Sequence, residues 1–151
     1  MLLTLLLLTA APTPVEASRA VFTEVRAAID AKQWVPVESA DCTEEFSTYA
    51  LASDAKGVVR YFVRSSGGSD SSEKVESYYD AAGRLRFVFI KVGAVPSAWV
   101  EARYWLDETG KVVRKARATG GEGPTYYATD AKGYLVKDAS AFVTTRTRCA
   151  R

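Results

Sequence analysis

Apolar positions in this chain follow two different periods. Between Ser18 and Trp34 they recur at helical spacing: Val21, Phe22, Val25 and Ile29 share one side, while Glu24, Arg26, Asp30 and Lys32 fall mostly elsewhere. That predicts an amphipathic helix over 18–34, with Ser18 as its N-cap. Pro36 ends it and pushes Val35 toward an extended conformation. The polar segment Glu38–Glu45 reads as a connection. From Phe46 onward the period drops to two. Strands are expected near Phe46–Ala52, Val58–Arg64, Lys74–Asp80, Arg84–Val92, Trp99–Leu106, Lys111–Ala118, Thr125–Thr129, Gly133–Lys137 and Ala141–Cys149.

One turn punctuates these strands four times. Asp54-Ala55-Lys56-Gly57, Asp80-Ala81-Ala82-Gly83, Asp107-Glu108-Thr109-Gly110 and Asp130-Ala131-Lys132-Gly133 all read Asp-x-x-Gly, spaced 26, 27 and 23 residues apart. An Asp carboxylate accepts from backbone N–H groups just after it, and Gly takes the positive φ that closes a type I turn with a bulge. The series predicts consecutive antiparallel hairpins. Ser65–Ser72 and Thr119–Pro124 are Gly-rich loops too short to separate domains. The expected fold is α+β: one N-terminal helix packed on an antiparallel β-meander, flat or curled into a half-barrel.

Strict alternation divides the strands into two faces. Val59, Tyr61, Val63, Val75, Tyr79, Leu85, Phe87, Phe89, Val100, Tyr104, Leu106 and Val112 are expected against the helix. The other face carries Arg60, Arg64, Lys74, Glu76, Arg84, Arg86, Glu101, Arg103, Lys111, Lys115 and Arg117, nine of eleven basic. Phe62, Val88, Ile90, Trp99, Trp105 and Val113 share its parity. Such a face serves either as the solvated side of a half-buried sheet or as a binding surface. Arginine forks onto carboxylate or phosphate, and tryptophan stacks on a sugar or on arginine. Arg60, Arg84, Arg86, Arg103 and Trp105 are the candidate ligand-binding residues.

The hairpins Ser77–Arg86 and Tyr104–Val113 resemble the Tyr-Asp-x-x-Gly-x-Leu units of bacterial YD repeats and of the second MORN-type repeat family, over roughly residues 46–137. The resemblance implies a surface-located, non-enzymatic β-meander and carries no functional residues with it.

The first eleven residues are almost wholly apolar, too few to span a bilayer as a helix. They fit the core of a secretory leader. Val15-Glu16-Ala17 offers a cleavage site, which would make 1–17 a signal peptide and 18–151 a single domain. No positive charge precedes the run. The two cysteines, Cys42 and Cys149, fit one disulfide in an oxidising compartment; free buried thiols are the other reading.

Net charge is +2, or +3 without residues 1–17, too mild to indicate a nucleic-acid binder. No histidine is present, which excludes Ser/His/Asp and Cys/His mechanisms and removes the commonest metal ligand. Ser-x-x-Lys occurs at Ser53–Lys56 and Ser71–Lys74, in a turn and in a loop rather than on the helix such a dyad uses. The expectation is therefore an exported, non-catalytic protein of the cell envelope without a cofactor or transmembrane segment. Its partner would be an anionic glycan, a lipid headgroup or an envelope protein. Two alternatives stand: a periplasmic carrier holding a lipid or peptide between helix and curved sheet, and a small hydrolase using Asp41, Glu44, Glu45, Asp70 and Glu73.

Overall fold

The computed structural model describes residues 11–40, 47–123 and 133–145. Helix α1 (Pro14–Asp30) precedes strands β1 (Val37–Ala40), β2 (Ser47–Ser53), β3 (Val59–Gly67), β4 (Ser71–Tyr79), β5 (Leu85–Ala94), β6 (Ala98–Leu106) and β7 (Val112–Gly120); helix α2 (Ser140–Thr145) follows. The strands form one antiparallel sheet in sequence order, a meander that stays open and does not close into a barrel. The fold is α+β, as the alternating periods require. Among the described residues no helix is long and apolar enough to cross a membrane. Cys42, Cys149 and the expected strand Thr125–Thr129 lie outside the described residues.

The helix begins a turn earlier than its apolar stripe suggests. Thr13, not Ser18, is the N-cap, and Glu16 reaches back to the Thr13 N–H at 2.7 Å in a capping box, with Pro14 as first helical residue. Ser18 is fully buried inside the helix, its hydroxyl shared between the Pro14 carbonyl at 2.8 Å and the Leu106 carbonyl at 2.7 Å. The far end closes at Asp30, before Pro36. Lys32 takes φ 57°, and the Gln33 N–H returns to the Ala28 carbonyl at 2.8 Å.

Two further expectations are corrected. Part of the supposed connection is an edge strand, with Val37–Ala40 paired to Leu51–Thr48. The C-terminal region is not a pair of strands over its described part. Residues 133–139 form an irregular strap that leads into α2. Asp138 Oδ1 accepts the Ser140 N–H at 2.9 Å, which turns the chain into a helix where alternation suggested a strand.

The sheet is covered on both faces, so there are two cores. On one face Val21 and Val25 pack with Ala52, Tyr61, Tyr78, Phe87 and Trp105, and Phe22 meets Tyr78 and Phe87 edge-on at 5.0 and 5.1 Å. On the other, Leu51, Phe62, Val75, Tyr79, Val88, Ile90, Val100, Tyr104 and Leu106 are buried beneath Tyr134, Leu135, Val136, Ala139 and Phe142. The Tyr79 hydroxyl donates to the Val136 carbonyl at 2.7 Å and the Tyr134 hydroxyl to Glu73 at 2.8 Å, fastening the strap.

Strict parity fails because each described Asp-x-x-Gly hairpin carries a bulge. Ala52 pairs with Tyr61 but Ser53 with Val59, leaving Arg60 unopposed; Arg86 and Val113 are passed over in the same way. Val59, Leu85 and Val112 therefore face the strap, although their numbers match the parity of Tyr61 and Phe87. Within each turn one carboxylate oxygen accepts two backbone N–H groups. For Asp80 these come from Ala82 and Arg84, both at 3.0 Å, and Gly83 takes φ 75°. Asp54 and Asp107 repeat the arrangement.

Burial acts against ionised Asp80, but the N–H groups of Arg84 and Ala82 and the Arg84 guanidinium outweigh it and hold its pKa below the usual range. The Asp107 carboxyl is also lowered, chiefly by the Thr109 hydroxyl. A depressed folded pKa contributes stability that is complete above the unfolded value of about 4 and is lost as pH falls through the folded one. Denaturant melts from pH 5 to pH 2 should show this loss. Asp80→Ala should cost about 3 kcal/mol, because it strands a buried guanidinium, and more than Asp107→Ala at an exposed turn. At the alkaline end, burial and then the bond to Glu73 push the Tyr134 phenol up to about 12. Its contribution is complete below about 10 and is lost as pH rises through about 12, so tyrosinate absorbance should show a late step that Tyr134→Phe removes.

Candidate functional site

The arginines singled out by alternation do not form one exposed face. Arg60 is 3% exposed. Its Nε donates to the Tyr79 carbonyl at 3.0 Å, Nη2 meets Glu24 at 2.7 Å, and the guanidinium lies 4.7 Å from the centre of the Trp34 ring. Arg86, also buried, donates from Nε to the Leu106 carbonyl at 3.2 Å and from Nη1 to Asp80 at 3.3 Å. Arg60 likewise reaches its own turn carboxylate, Asp54, at 3.5 Å. Both arginines sit at bulges and act alike, since each ties its turn to the last carbonyl of the next strand. Arg84 is half exposed and pairs with Asp80 at 2.9 Å. Trp105 is buried under α1, with Arg114 over its ring at 5.1 Å. Of the five, only Arg103 stands on the uncovered part of the helix-side face, over Phe89 at 4.7 Å and paired to Glu101 at 2.7 Å.

The part of that face beyond α1 holds a different constellation. Register places Ser65, Lys74, Lys91, Glu101 and Ala118 side by side across β3–β7, with Gly67, Ser72, Gly93, Trp99 and Gly120 in the neighbouring row. The second row has three glycines and a serine, so it forms a trough, and Trp99 is its wall. The indole is 43% exposed and leans over Gly120, where an added Cβ would come 2.7 Å from the ring. A groove of about 460 Å³ opens beside it, floored by Ser65, Ser72 and Gly93 and flanked by Lys74, Lys91 and Trp99.

Both ammonium groups are held in place by carboxylates. Lys74 Nζ is 3.2 Å from Glu76, which is buried and accepts the Tyr61 hydroxyl at 2.6 Å. Lys91 Nζ is 3.5 Å from Glu101, whose other oxygen holds Arg103. The groove therefore offers an aromatic face, two positioned cations, small hydroxyls and a floor open to close approach. These suit a ring-shaped, polar, anionic ligand.

The loop carboxylates suit hydrolysis less well. Asp41, Glu44 and Glu45 lie outside the described residues. Glu73 is engaged by Tyr134 on the strap side. Ser71 and Lys74, an odd number of residues apart on β4, project to opposite faces and cannot form a dyad. Among the described residues no group of three His, Cys, Asp or Glu side chains gathers to hold a metal.

Trp99 and Lys74 were visible as members of the basic parity set, and Lys91 was missed. The available signal was Gly93 and Gly120. Pairing the hairpins outward from their turns brings both glycines beside Trp99, which leaves an aromatic ring with no side-chain neighbour in its row. The clamp role of the bulge arginines is testable in melts. Arg86→Lys keeps the charge but loses the fork, and should destabilise by about 1–3 kcal/mol, whereas Arg103→Lys should change little. Comparison with known protein families, with curated proteins and with solved structures finds no match for this chain.

Proposed function

We propose that this is an exported, non-catalytic binding protein of the cell envelope that holds an acidic glycan in the Trp99 groove. The observation that carries this reading is the indole beside a trough of glycines and small serines, flanked by Lys74 and Lys91. An aromatic plane takes the C–H face of a pyranose, and the ammonium groups take its carboxylate. Export is supported by the apolar run before α1, and in the oxidising compartment it implies Cys42 and Cys149 would pair as a disulfide. The Tyr-Asp-x-x-Gly hairpins add the expectation of a surface meander without catalytic machinery. The carrier reading gains less support, because Phe22, Tyr78 and Phe87 fill the space between α1 and the sheet.

Titration with polygalacturonate, followed by tryptophan fluorescence and calorimetry, tests the reading. Binding should weaken between low and high salt. Trp99→Ala should reduce affinity by about tenfold or more, and Gly120→Ala should reduce it by displacing the ring without removing it. Lys74→Ala with Lys91→Ala should flatten the salt dependence. Affinity unchanged in Trp99→Ala, or binding only to anionic lipid vesicles or to an envelope protein, would overturn the glycan assignment.

A further inference from the structure

The apolar leader of the sequence and the helix that follows it overlap in a way that locates the processing site. We infer that the exported chain is cut on the amino-terminal side of Thr13, in the small-residue segment Thr9-Ala10-Ala11, and not after Ala17. The inference rests on the export reading and is independent of what the groove holds.

The cut itself is a hydrolysis. One peptide bond breaks, water adds across it, and the mature chain gains an α-ammonium while the leader keeps the carboxylate. Where that ammonium falls decides whether the fold keeps its first helix. Ala11, Pro12 and Thr13 are exposed, so a charge there stays in water. A cut after Ala17 would place it on Ser18, which is packed against the end of β6 with its hydroxyl 2.7 Å from the Leu106 carbonyl. That cut would also delete the Thr13–Glu16 capping box, the Pro14 carbonyl that receives Ser18, and Val15, which packs on the helix-side core. Glu16 stands where a helix start favours negative charge; the new terminus would put a positive charge in its place.

Small side chains before the cut are what a leader peptidase reads, and Thr9, Ala10 and Ala11 supply them directly after the leucine-rich run. The Val15-Glu16-Ala17 pattern, in contrast, lies within the folded helix.

The test is to express the whole chain in a secreting bacterium, fractionate the cells, and measure the intact mass of the product. A shortened product in the exported fraction whose first residue lies after the leucine-rich run and no later than Thr13 supports the inference. A product beginning at Ser18 overturns it. An uncut chain in any fraction overturns the inference, and the fractionation tells whether export fails with it. A second measurement does not depend on the host. Purified chains beginning at Ala11 and at Ser18 are melted side by side. The shorter chain should lose about 5 °C or more, or fail to fold; equal melting temperatures would overturn the argument.

Discussion

The two oxygens of Asp54 and of Asp80 do different work, and the architecture hangs on that division. One oxygen fixes the tight turn by accepting two backbone N–H groups. In the first two described hairpins the other oxygen holds the arginine at the bulge, and the arginine's Nε reaches the last carbonyl of the following strand. Turn, bulge and neighbouring strand are thus joined through one carboxylate. The bulge in turn decides which residues face which core. Were the strands regular through Arg60 and Arg86, Val59 and Leu85 would share the faces of Tyr61 and Phe87 and point at α1, and the strap core would lose two of its members. A buried carboxylate–arginine pair adds little net stability against well-packed apolar residues, but it is costly to break. Its role here is to fix register.

Much of this was legible in sequence. The helix, the run of hairpins and the α+β class follow from period and turn chemistry, and three Asp-x-x-Gly turns fold as their residues dictate. Face assignment was not legible, because one bulge residue per hairpin reverses the alternation beyond it, and period alone does not say which residue is skipped. The arginines misled for the same reason. Arg60 and Arg86 look like surface charges by count, yet each sits where the strand kinks inward toward its own turn. The start of α1 was obscured because Val15 and Pro14 continue the apolar run of the leader in composition while belonging to the helix in structure. The strap was hidden because Leu135, Val136, Ala141, Phe142 and Val143 read as strand on propensity alone, whereas Asp138 sets a helix going between them.

The two ends of the sheet differ in kind. At the aspartate end the first two turns are clamped, α1 is seated on Leu106, and Asp54 and Asp80 are paired with Arg60, Arg84 and Arg86. At the opposite end the rows thin to serine and glycine, and Trp99 stands half in solvent. Rigidity at one end and access at the other suit a scaffold that presents a surface without moving to do so. The lysines beside the trough are already held by carboxylates that are themselves held, so the proposed binding of a glycan there would cost little further side-chain freedom.

The hairpin clamp also bears on how such a chain grows. Each described unit carries its own turn and its own reversal of faces, and the first two carry their own fastening to the strand that follows. Duplicating or deleting one whole unit of 26 or 27 residues leaves every remaining side chain on its proper face, whereas inserting a single residue in a strand inverts all that lies beyond it up to the next turn. Evolution can therefore lengthen or shorten this meander in whole hairpins at small cost. The third bulge, with Val113 where the first two have arginine, is the one described unit without this fastening.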